Sequence, residues 1–108
     1  MWQVGIDLVS EIYAATRWLP EQERYGLTAQ MCRAAVSVPS NIAEGQGRTG
    51  QAELRHSLSI ALGSLAEVET HLVIAQRLHG LSSELVDRLT GKINQLRAML
   101  LRMLMKLS

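Results

Sequence analysis

Gly45-Gln46-Gly47-Arg48-Thr49-Gly50 has the G-x-G-x-x-G spacing with which some loops cradle a nucleotide phosphate. That chemistry needs a strand before the loop, because a βαβ unit sets the pyrophosphate at the edge of a sheet. Here the residues before the loop repeat with a helical period. The glycines therefore read as a helix stop, a turn and a helix start, with Gly45 as the C′ residue. Arg48, beside the start of the next helix, keeps the option of holding an anion. Glu53-Leu54-Arg55-His56 has the Glu-x-x-His spacing of di-iron bundles, but such a centre takes two of these motifs and two further glutamates. The chain has one, and no acidic residue follows Asp87. His71, four residues after Glu67, is expected to make a solvated surface pair. Neither a metal nor a cofactor is expected.

Nucleophiles fare no better. Cys32 is the only cysteine, has no nearby His to activate it, and reads as a packed structural thiol. Ser37, Ser40, Ser57, Ser59 and Ser64 show no triad spacing and no nucleophile elbow. No residue is expected to be catalytic, and the chain is not expected to be an enzyme.

Two polar groupings remain. Gln30, Arg33, Ser37, Asn41 and Glu44 share one side of an otherwise small-residue helix and are candidates for an interface with another protein or another copy. Lys92, Arg102 and Lys106 fall within about 40° of Arg88 on a helical wheel, while Arg97 points elsewhere. These stems either snorkel to solvent beside a core or form a strip for nucleic-acid phosphates. No aromatic interleaves the strip in sequence, so base stacking is not expected.

Positioning these side chains falls to four helices in a single domain, residues 1–108. Hydrophobic residues make up 47% of the chain but aromatics only 4%, with no Phe, so the core must be aliphatic, which suits helix packing. Helix one is expected over about 2–19, with Val4, Leu8, Ile12, Ala15 and Leu19 inward and Trp2, Ile6, Val9 and Tyr13 on a second stripe. Helix two, about 25–44, presents Leu27, Met31, Ala34, Ala35, Val38 and Ile42, with Pro39 inside it removing one backbone bond. Helix three, about 50–78, carries Leu54, Leu58, Ala61, Leu65, Val68, Leu72 and Ala75, with Ile60, Ile74 and Leu78 nearly opposite. Helix four, about 82–106, carries Leu85, Leu89, Ile93, Leu96, Leu100, Met103 and Leu107, with Leu101 and Met105 off that arc; Ser82 or Ser83 is its N-cap. Short connections favour an all-α, up-down-up-down antiparallel four-helix bundle. The surplus apolar residues on helices one, three and four read as a subunit interface.

Net charge is +1 and the pI about 8.0, weak pointers to any partner. No leader is recognised, and the apolar runs are too short to span a bilayer, so a cytoplasmic location without membrane contact is expected.

The chain resembles the bacterial four-helix-bundle family that includes the protein encoded in large-subunit rRNA intervening sequences and the accessory variability determinant of diversity-generating retroelements. The matching residues are Trp2-Gln3, Glu11-Ile12-Tyr13, Pro20-Glu21, Tyr25-Gly26-Leu27, Gln30, Arg33 through Gly45, Gly47-Arg48, Ile60 through Leu65 and Glu67 through Thr70. Asn41-Ile42-Ala43-Glu44-Gly45 is the most specific block. The chain departs at Ser57, where the family often has an aromatic, and at Gly50, where it usually has a capping Ser. The resemblance implies a homopentameric ring with no established enzymatic activity, some members binding nucleic acid or a reverse transcriptase. The leading functional expectation is a non-enzymatic oligomer touching RNA or DNA backbone through Arg88, Lys92, Arg102 and Lys106. The alternative is a protein–protein scaffold with no nucleic-acid binding.

Overall fold

The computed structural model describes residues 1–107, folded as four α-helices: α1 (Trp2–Ala15), α2 (Leu27–Gln46), α3 (Gln51–His79) and α4 (Ser83–Leu107). No strand occurs among the described residues. α2 packs extensively on α3, α1 on α2 and α4, and α3 on α4, which makes a rod of 43 × 24 × 19 Å. Its interior is aliphatic throughout, from Leu8 and Ile12 through Met31, Val38 and Ile42 to Leu65, Leu72, Ile93 and Leu100, all fully buried. The inward stripes expected from the sequence supply this core. Val4, Leu54, Leu85, Met103 and Leu107 pack at its margin, and Val86 adds to it.

Helix ends depart from expectation where local chemistry intervenes. α1 stops at Ala15 rather than Leu19. The Thr16 hydroxyl donates to the Tyr13 carbonyl at 2.6 Å, a tighter 3₁₀ turn follows over Thr16–Trp18, and Leu19, ahead of Pro20, is forced extended. α2 continues through Gly45 to Gln46, so Gly45 is not the C′ residue. It lies inside the helix because α3 comes so close there. A Cβ at Gly45 would stand 3.0 Å from Ser57 Cβ and 3.1 Å from Leu54 Cδ1. Gly5 allows a similar approach of α1, where a Cβ would stand 3.2 Å from Cβ of the buried Pro39. Gly80 ends α3 with φ 69°, and its N–H donates to the Gln76 carbonyl at 3.1 Å in an αL cap. Ser82 caps α4, its Oγ accepting from the Leu85 N–H at 3.2 Å.

Polar braces tie both ends of the rod. Glu23 accepts from the Leu27 N–H at 3.2 Å and meets His79 Nε2 at 2.7 Å, joining the first connection to the end of α3. The His79 contact and the Leu27 N–H hold the Glu23 carboxyl below its ordinary pKa. At the other end the Arg55 guanidinium donates to the Leu107 carbonyl at 2.8 Å.

α3 also corrects an expectation. By length and mean hydropathy (1.4 over its best window) it is long and apolar enough to cross a bilayer, with 44% of that window buried. The reason is its place in the bundle: packed on both α2 and α4, it needs apolar residues around more of its circumference than a peripheral helix.

The glycines separate into opposite classes. A Cβ at Gly63 or Gly91 meets nothing within 4 Å, so Gly63→Ala and Gly91→Ala should each raise stability by about 0.5–1 kcal/mol in urea unfolding. Gly45→Val should instead lower it by about 1–3 kcal/mol through overpacking. Equal effects at the three sites would contradict this packing.

Candidate functional site

Three polar residues of α3 are buried, Ser57, Ser64 and His71, and they follow one another at seven-residue intervals. Gln30, Ser37 and Glu44 of α2 have the same interval and run past them in the opposite direction. Gln30 shares a groove with His71, Ser37 bonds Ser64, and Glu44 shares a recess with Ser57. A seven-residue interval keeps residues on one face of a helix that packs along a neighbour. The two helices therefore meet along a polar seam beside the aliphatic core.

The groove at the middle of this seam, of about 330 Å³, is lined by Gln30, Arg33, Ala34 and Ser37 from α2 and by Ser64, Glu67 and His71 from α3. Ser37 Oγ and Ser64 Oγ lie 2.8 Å apart, and the Asn41 amide donates to Ser37 Oγ at 3.0 Å and to the Ser37 carbonyl at 2.8 Å. His71 is only 8% exposed and its Nδ1 has no hydrogen-bond partner. This corrects the expectation of a solvated pair with Glu67. Burial pushes the His71 pKa below its ordinary value, and the nearby Glu67 carboxylate opposes that shift only in part.

The five expected interface residues thus separate. Gln30, Arg33 and Ser37 line the groove, Asn41 orients Ser37 from beneath, and Glu44 turns to the α2–α3 loop. There Arg48 contacts Glu44 at 3.2 Å and Glu53 at 3.9 Å. The one cation of the glycine loop is therefore already flanked by two carboxylates. His56 shares that recess with Glu53, but no group of three His, Cys, Asp or Glu side chains able to hold a metal occurs among the described residues. Cys32 is half-buried, and burial pushes its thiol pKa up, away from the reactive thiolate.

The basic strip on α4 divides as well. Glu11 of α1 reaches Arg88 at 3.4 Å and Lys92 at 3.1 Å, so half of the strip joins α1 to α4. Arg102 and Lys106 remain exposed, and Arg97 is taken up by Glu69 at 2.7 Å. Trp18, brought in by the 3₁₀ turn after α1, lines a recess with Ser82, Glu84, Leu85 and Arg88. Sequence spacing along α4 could not reveal that neighbour.

Every aromatic side chain in the protein is on its surface: Trp2 is 47% exposed, Tyr13 50%, Trp18 74% and Tyr25 87%. Trp2 also lines an apolar recess between α1 and α2 with Ile6, Val9, Val36, Pro39 and Ala43. Ile60, Ile74 and Leu78 of α3, and Leu101 and Met105 of α4, are exposed on other faces.

Residues 1–102 match the profile of the 23S rRNA-intervening sequence protein family. Among solved structures, the chain is similar to a protein of unknown function from the S23 ribosomal protein family of Bacteroides thetaiotaomicron. The two are 20% identical with a TM-score of 0.87, over 95% of this chain and 96% of the other. That likeness concerns the fold. No curated protein matches the chain.

The buried imidazole predicts a pH dependence. With its folded-state pKa below the ordinary 6.5, His71 is neutral in both states above that value and has no effect there. As pH falls through it, the unfolded chain takes up the proton first, so stability falls until the folded-state pKa is reached. The melting temperature should therefore drop as pH falls below the ordinary histidine value, and His71→Leu should flatten the drop. Parallel profiles for the two proteins would refute a buried, neutral His71.

Proposed function

The chain belongs to the 23S rRNA-intervening sequence protein family, and from that premise we propose that it is a non-catalytic protein of the cytoplasm that works as a homo-oligomer. The observation that carries this reading is the placement of the aromatics. Tyr and Trp are enriched at protein interfaces because a rigid ring offers much contact area at little entropic cost. A core with no Phe, Tyr or Trp, below a surface that holds all four Tyr and Trp rings, favours association.

The shape of the contact follows from where the apolar groups lie. The α1–α2 recess and the exposed side chains on α3 and α4 belong to different faces. A recess on one copy that receives the ridge of the next is a heterologous contact, and such contacts close into a ring when the rotation per copy allows. Five copies is the number the family resemblance implies.

A second reading keeps the basic strip as a contact for nucleic-acid backbone. It is favoured by the exposed Arg102 and Lys106 in the last turns of α4 and by Trp18 beside Arg88, an aromatic face next to a cation. Glu11 weighs against it, since it lowers the positive potential at Arg88 and Lys92.

Light scattering at micromolar concentration should give a mass several times that of the chain, and Ile6→Glu with Val36→Glu should reduce it to the monomer without loss of helicity. A monomeric wild type, or an assembly unchanged by the double substitution, would sink this reading. For the second reading, binding to a mixed-sequence RNA or DNA duplex should weaken steeply with salt. It should be lost in Arg88→Ala/Lys92→Ala/Arg102→Ala/Lys106→Ala. No binding at low salt removes it.

A further inference from the structure

We propose that the groove between α2 and α3 is a binding site for a small zwitterion, a molecule that carries a carboxylate and an ammonium group on one amino-acid-sized frame. Its floor is built from polar groups in an otherwise aliphatic interior. The Asn41 amide donates to Ser37 Oγ at 3.0 Å, which leaves the Ser37 proton for Ser64 Oγ at 2.8 Å. The Ser64 proton is then free to turn toward an acceptor in the groove. Two helical turns further along the groove, about 10 Å away, lies His71, more than nine-tenths buried, with one ring nitrogen unsatisfied. Buried polar atoms almost always have a partner, so the orphaned nitrogen, which is closed off from solvent, marks a wall whose bonding an occupant completes only by shifting the His71 ring.

The mouth decides the charge of that occupant. Arg33 on α2 and Glu67 on α3 both line it and both are exposed, yet no ion pair joins them among the described residues. An anion held by Arg33 and Ser64 would sit near the Glu67 carboxylate, and a cation held by Glu67 would sit near the Arg33 guanidinium. A ligand with both charges a few ångströms apart satisfies both, and a neutral His71 adds no charge to that balance. The volume of about 330 Å³ lies at the lower end for small-molecule sites and accommodates a free amino acid. Helical spacing alone puts Gln30, Arg33 and Ser37 on one face, and only the packing of α3 on α2 brings Ser64, Glu67 and His71 to them.

The test is a heteronuclear NMR titration of the full chain with glycine and L-serine as zwitterions, and with acetate and methylammonium as the two halves. Saturable shifts of the His71 ring and Ser64 signals are expected at millimolar glycine or serine, with at least tenfold weaker responses to acetate and to methylammonium. Arg33→Ala and Glu67→Gln should each weaken the zwitterion by about tenfold or more; both positions are exposed, and circular dichroism checks that the fold persists. The proposal is overturned by the absence of saturable shifts up to about 50 mM. It is equally overturned if acetate alone titrates as well as glycine, if the shifts occur away from His71 and Ser64, or if either substitution leaves affinity unchanged.

Discussion

The polar seam between α2 and α3 is the constraint on which the other contacts depend. Small residues lie along it, with Ala34, Ser37 and Gly45 on one side and Ser57 and Ser64 on the other. They let the helices approach until one hydroxyl reaches another. That approach also fixes register. A slide of one helical turn would leave Ser64 without Ser37 and drive Gly45 off the ledge formed by Leu54 and Ser57. A purely aliphatic seam would tolerate such a slide more readily, since Leu against Leu has several nearly equivalent settings. The specificity comes from hydrogen bonds of ordinary strength, because the alternative registers bury the same groups unpartnered.

Once α2 and α3 are set, the outer helices take their places by different means. α1 lies against Pro39 through Gly5 and is tied to α4 by Glu11, which serves two cations at once. α4 follows from the tight Gly80 turn and packs its Leu89, Ile93, Leu96 and Leu100 stripe on the remaining side. Narrow spaces between close helices are filled by Leu, Ile, Val and Ala, with Met31 as the adaptable piece. Tyr and Trp rings are left for the outside. Charge follows the same economy, as Glu11, Glu44, Glu53 and Glu69 each engage a basic side chain that would otherwise stand free.

Much of this was legible in the residue order, and the failures have physical causes. The inward stripes from Leu8 to Leu100 were readable because burial on a helix repeats at 3.6 residues whatever the partner. Helix ends were less so. Gly45 looked like a terminator because glycine often ends helices, and nothing local reveals a neighbouring helix that requires a missing Cβ. His71 was judged by its distance from Glu67, which is an argument about one helix surface. Its burial depends on α2, and the signal that would have exposed it is the seven-residue recurrence of Ser57, Ser64 and His71. The basic strip was read from spacing along α4 alone, and its neutralisation by Glu11 of α1 and its neighbour Trp18 in the turn after α1 come only from the three-dimensional arrangement.

The absence of Tyr and Trp from the interior has a spectroscopic consequence. Neither tryptophan is among the residues whose packing defines the bundle, and Trp18 in particular faces water whether or not the helices are assembled. Emission from the Trp18 indole of a lone chain therefore changes little as the helices separate, because that ring exchanges one aqueous setting for another. It changes sharply when a second molecule covers Trp18 and removes the solvent. That light reports the company the protein keeps and is nearly blind to its internal order.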